Sequence, residues 1–202
     1  SITFDVEDAG TTAARLTAPD FSPGDSEVDG WLTLNPWPEL VGLRSERSPL
    51  GPTSEVLATS RLAIIGPTDR IDLLAAECGG ENSIDWRCLG EIAGDQWVSH
   101  GGTTSQGEVQ VGHDDPSTSA AGLLVLAQAV ASYFGDPGFA SNDFNFDDGV
   151  RPWLDDLENA DPGLNPALQR QPVVAQLQQL PNASWDAVGT LDPAASDAAA
   201  RA

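Results

Sequence analysis

The densest group of chemically useful side chains in the sequence runs Val109-Gln110-Val111-Gly112-His113-Asp114-Asp115-Pro116-Ser117-Thr118-Ser119-Ala120-Ala121-Gly122. Alternation over 108–112 predicts a strand, the polar residues a turn, and the apolar run 120–134 a long buried helix stopped by Gly135. The start of a helix leaves backbone N–H groups unpaired and carries the positive end of the helix dipole, so it suits a carboxylate, phosphate or other oxyanion. Ser117, Thr118 and Ser119 add neutral donors, while Ala120, Ala121 and Gly122 leave room for a ligand to approach. The plainer use of the same residues is structural: one hydroxyl caps the helix and the small residues pack against a strand.

Other groups point less clearly to chemistry. His100 and His113 are the only histidines. A Ser–His–Asp triad can be written from Ser117 or Ser119 with His113, yet no G-x-S-x-G elbow is present. His113-Asp114-Asp115 lacks a further ligand type at metal-site spacing. Asp143-Phe144-Asn145-Phe146-Asp147-Asp148-Gly149 begins like a calcium loop, but Asp148 stands where glycine belongs and Leu154 where the closing glutamate belongs. The plainer reading is a solvated acidic turn anchored by two phenylalanines. Six tryptophans are available for core or cleft, and most should be structural. Asn182-Ala183-Ser184 fits a glycosylation acceptor, but an all-Arg, Ala-rich composition resembles that of proteins from high-GC bacterial genomes, which argues against its use. Cys78 and Cys88 are close in sequence and read as a local disulfide, which favours an exported protein; two buried free thiols are the alternative.

The elements that must position these groups follow from pattern and punctuation. Strands are expected at 2–6, 30–34, 61–65, 108–112 and 186–191. Short helices are expected after Thr11 or Thr12, at 39–43, from Thr68 or Asp69 to about 77, over 89–97 and over 152–159. Asn165-Pro166 should open a helix running to Leu180, broken or kinked at Pro172. Short strands alternating with helices predict an α/β fold with a mainly parallel sheet.

Composition excludes some partners. The 202 residues include 31 acidic and nine basic ones, a formal net charge of −22, and every basic residue is Arg. A chain without a basic cluster is a poor binder of phosphate backbones or anionic lipid, and it has no run of about 18 apolar residues, so nucleic acid and direct membrane insertion are not expected. At 40% hydrophobic residues the chain can build a core, and the charge describes a solvated exterior.

The stretch 109–134 resembles bacterial extracellular solute-binding proteins of the type 2 periplasmic-binding fold. In these a strand ends in a D-P-x-x-S-x-x-G turn, here Asp115 to Gly122, before a Leu- and Ala-rich helix. Asp29-Gly30-Trp31-Leu32-Thr33 resembles the family's first-lobe strand, Ala58 to Ile65 the crossing segment, and Ala9-Gly10-Thr11-Thr12 an early ligand loop. The resemblance implies two lobes: a partial first lobe over 1–60, a second lobe over 61–191, and a tail or cut-short helix over 192–202, with both ends of a longer protein missing. It implies an exported, non-catalytic binder of a small polar solute that needs no cofactor and works with a membrane permease or a fused surface domain. Thr11, Thr12, Ser60, Ser117, Thr118 and Ser119 would hydrogen-bond the solute, Trp31 would stack on it, and Arg61 would be an alternative charge partner. A surface-scaffold module of the same fold and a serine hydrolase are the other readings.

Overall fold

The computed structural model describes residues 5–22, 30–45, 56, 58–159, 162–181 and 184–192. Helices α1 (Ala9–Leu16) and α2 (Trp37–Arg44) come first, then strand β1 (Leu62–Ile65), α3 (Thr68–Cys78) and α4 (Trp86–Ile92). Strand β2 (Val111–His113) leads into α5 (Ala120–Phe134), followed by α6 (Ser141–Phe146), α7 (Val150–Glu158), α8 (Pro166–Gln169), α9 (Val173–Gln179) and strand β3 (Ala187–Leu191). Turns of 3-10 helix at Trp97–His100 and Thr104–Gln106 fill 97–106, the second closed by a capping box between Thr103 and Gln106.

The three strands form one sheet in the order β1-β3-β2. β3 runs antiparallel to β1, with Leu62 opposite Leu191, and parallel to β2, with Val111 opposite Ala187. Side chains alternate across a strand, so the two faces separate cleanly. Leu62, Ile64, Val111 and Ala187 join the main core with Leu74, Trp86, Leu89, Trp97, Val125, Ala129 and Trp153. Val188 and Ile65 point the other way, onto Val173 and Leu177 of α9. A third cluster joins Ala13 and Leu16 of α1 to Trp37 and Val41 of α2, against Ala120 and Leu123 of α5.

Within the core lies a buried charged group. Asp186 accepts hydrogen bonds from the Trp97 indole at 2.9 Å and the Gln110 backbone N–H at 2.7 Å, and pairs with Arg70 Nε at 3.1 Å. The Arg70 guanidinium lies 5.4 Å from the centroid of the Trp97 ring. Cys78 and Cys88 form a disulfide, with Cα atoms 5.9 Å apart, that ties the end of α3 to α4.

The expected two-lobed periplasmic-binding fold is not what the chain forms. That fold needs a larger, mainly parallel sheet, whereas this molecule is mostly helical around three short strands of mixed direction. The segment 30–34, expected as a first-lobe strand, pairs with nothing in the sheet. Its Trp31 packs against the α1–α2 cluster instead. Of the expected strand at 2–6, residues 2–4 lie outside the described residues, while Asp5 and Val6 are not in a strand. The 192–202 tail falls outside the described residues except for Asp192, and residues 182–183 of the acceptor site at Asn182 lie outside them too.

Several local expectations match. α5 spans 120–134 as the apolar run requires, with Ser119 Oγ accepting from the Gly122 N–H and Gly135 in the left-handed conformation at its end. Asn165 caps α8 through the N–H groups of Ala167 and Leu168, and Pro172 separates α8 from α9. Thr11 and Thr12 differ from expectation, since both lie inside α1 rather than capping it. No described helix is long and apolar enough to cross a membrane.

Candidate functional site

The turn after β2 floors an open cleft of about 870 Å³. On the floor are His113, Asp114, Asp115, Thr118 and Ser119; the walls come from Glu158 at the end of α7, residues 169–173, Gln176 of α9 and Trp185. Most of the floor's polar groups are held by internal bonds. Asp115 accepts from the Ser117 hydroxyl at 2.6 Å and the Ser117 N–H at 2.8 Å, which hold its carboxyl below the usual range. Asp114 accepts from the Val173 N–H at 2.8 Å, so one carboxylate of the turn satisfies the first backbone donor of α9. Trp185 lies across Gly112, where an added Cβ would come within 2.6 Å of the ring, and its indole N–H donates to Gln176 at 2.8 Å.

His113 is the buried titratable group of the cleft. Nδ1 meets the Asp114 carbonyl at 2.7 Å and Nε2 meets Glu158 Oε1 at 2.6 Å. Both partners are acceptors, so the ring satisfies both only as an imidazolium. Burial pulls its pKa down, but the hydrogen bond and charge of Glu158, helped by the Asp114 carbonyl, outweigh it and raise the pKa above 6.5. The pairing also explains a carboxylate at the C-terminal end of α7, where the helix dipole disfavours negative charge.

A pH dependence follows from this pair. A group whose folded pKa is raised contributes stability that is complete below its unfolded value, here 6.5, and lost as pH rises through the folded value. Wild-type stability relative to Glu158→Gln should therefore fall as pH is raised above 6.5. Urea unfolding of both proteins across that range checks it; a constant difference would mean that the ring is not charged by Glu158.

The residues expected as ligands are only partly brought together. Thr118 and Ser119 line the cleft; Ser117 is turned into its bond with Asp115. α1 docks on the turn, with the Gly10 N–H donating to the Thr118 carbonyl at 2.9 Å, which brings Thr11 and Thr12 near without making them lining residues. Thr12 is buried and donates to Glu7 at 2.6 Å. Ser60 and Arg61 are exposed at the start of β1 and Trp31 is in the α1–α2 cluster, all outside the cleft lining. In the acidic segment 143–149, Asp143 accepts from the Ala140 N–H, and Asp147 from the N–H groups of Gly149 and Val150 and from the Tyr133 hydroxyl. Among the described residues no cluster of His, Cys, Asp or Glu is arranged to hold a metal ion.

Sequence reasoning missed Glu158, Arg170, Gln176 and Trp185. Their place in the cleft comes from α7, α8 and α9 folding back onto a turn far earlier in the chain. The sequence carried only a weak local signal, a glutamate closing a helix, where the helix dipole disfavours negative charge. Compared with known protein families, curated proteins and solved structures, the chain matches none.

Proposed function

We propose that the protein binds a small polar solute in the cleft above the His113–Ser119 turn and does not transform it. The observation that carries this reading is the cleft itself: its volume is that of a small-molecule site, and its floor is preorganised by bonds among its own residues. Arg170 lines it without an ion-pair partner among the described residues, and Trp185 supplies an aromatic surface. Asp8, Asp114, Asp115 and Glu158 surround it, so a free anion meets a negative rim. A neutral solute rich in hydroxyl or amide groups fits best, donating to the carboxylates and accepting from Arg170. The disulfide supports export to an oxidising compartment as part of the same proposal. A transport role with a permease rested on the fold resemblance and loses that support. The hydrolase reading gains none, because the His113 nitrogens face Asp114 and Glu158 rather than a serine.

Thermal-shift and calorimetric titration with sugars, polyols, amino acids, anions and metals test the proposal. A neutral polyhydroxy or amide compound should raise the melting temperature, and Arg170→Ala should weaken its binding about tenfold, the equivalent of about 1.4 kcal/mol. Flat melting curves across the whole panel would sink it.

A further inference from the structure

A second surface, independent of the cleft, lies along the free edge of the sheet. Among the described residues β1 is an edge strand, paired on one side only. The Asp192 N–H donates to the Arg61 carbonyl at 2.8 Å, which makes Arg61 and Asp192 a hydrogen-bonded pair. In an antiparallel ladder such pairs alternate, so Ala63 with Thr190 and Ile65 with Val188 come next. Leu62 and Ile64 therefore turn their N–H and C=O groups away from β3, toward the free edge. None of these four groups has a hydrogen-bond partner among the described residues. Beside them runs an open groove of about 540 Å³, walled by Ile71, Ile84 and Trp86 and rimmed by Glu81 and Asp85. Among the described residues no basic one lines it.

We propose that this edge accepts an extended segment of a basic polypeptide partner, added to the sheet as a fourth strand. The outward backbone groups of Leu62 and Ile64 provide the ladder, and the groove provides a seat for alternate apolar side chains of the incoming strand. Charge selects the partner. The two rim carboxylates call for Lys or Arg flanking the apolar positions, whereas a second copy of this chain would bring another −22 to the contact.

The test uses the intact chain and a short capped peptide of alternating Val and Thr with Lys at both ends. Binding is followed by fluorescence anisotropy and by amide hydrogen exchange. The peptide should bind, should slow exchange of the Leu62 and Ile64 amides about tenfold or more, and should bind at least about fivefold more weakly to Glu81→Lys. Exchange on the wild-type protein needs no variant, so a folding defect in Glu81→Lys cannot obscure the result. No binding, or equal binding of the same peptide with Glu in place of Lys, overturns the proposal. So does protection of these two amides in the free protein: in a monomer by sedimentation it means that the chain's own residues cover the edge, and in a dimer that a second copy does.

Discussion

Replacing Asp186 by alanine is expected to remove about 3–5 kcal/mol of stability, because it leaves a buried guanidinium without its counter-charge. The Arg70 and Asp186 side chains are only 9% and 10% exposed, so water cannot take over the lost contacts. Among the described residues Arg70 Nη1 is already buried without a hydrogen-bond partner, and the Nε–Asp186 contact of Arg70 is the closer of its two ion-pair contacts; the other is a 3.8 Å approach to Asp69. The Trp97 indole N–H and the Gln110 backbone N–H lose their acceptor in the same substitution. Burial pushes the Asp186 carboxyl above the usual range against the pull of these donors and of Arg70, so its charge is itself costly and is kept where Arg70 needs it. This predicts an asymmetry. The paired change of Arg70 to Met with Asp186 to Leu should cost far less than Asp186→Ala alone, since it removes both desolvated charges together. Guanidinium unfolding followed by tryptophan fluorescence measures all three proteins. A loss under about 1 kcal/mol in Asp186→Ala would show that the pair is solvated and not the core device described.

What was legible in the sequence divides along the range of the interactions. α5, its Gly135 stop, the Asn165 cap and the break at Pro172 are set by residues a few positions apart and stand where local pattern puts them, while the cap of α5, expected at Ser117, Thr118 or Ser119, falls on Ser119. The fold class was not legible, because alternation identifies a strand without saying whether or how it pairs. The run 30–34 has strand-like composition, yet its tryptophan packs, partly buried, against the α1–α2 cluster, and the run joins no described strand. The run 61–65 was read as a strand, but its antiparallel pairing depends on β3, more than a hundred residues later. The site divides in the same way. The hydroxyl turn was visible, but its capping role and its ligand-facing role were indistinguishable until α9 and Trp185 folded over it. Within the turn the structure then divides the roles: Ser119 caps α5 and also lines the cleft, Ser117 braces Asp115, and Thr118 lines the cleft.

Gly122→Ala should destabilise the protein by about 2–4 kcal/mol and abolish the solute-dependent thermal shift, reversing the usual sign of such a change. In a helix, alanine is normally favoured over glycine by about 1 kcal/mol. Gly122 is in the first turn of α5, and a Cβ there would sit 2.0 Å from the carbonyl oxygen of Asp114 and 2.7 Å from its carbon. Both atoms are backbone, so no rotamer change relieves the contact, and α5 must back away from the turn. Movement strains the Ser119 cap on the Gly122 N–H and pulls Asp114 from the Val173 N–H, which holds the start of α9. The floor of the cleft would then part from α9, which walls it, so stability and binding should fail together. Gly42→Ala is the matched control: Gly42 is an exposed residue of α2, and an added Cβ meets nothing within 4 Å. It should be neutral or stabilising by up to about 1 kcal/mol and leave solute binding unchanged. If Gly122→Ala melts like Gly42→Ala, α5 does not rest on the Asp114 backbone, and the preorganised floor on which the binding proposal stands is absent. If it is destabilised yet still answers to solute, the solute is held somewhere other than this turn.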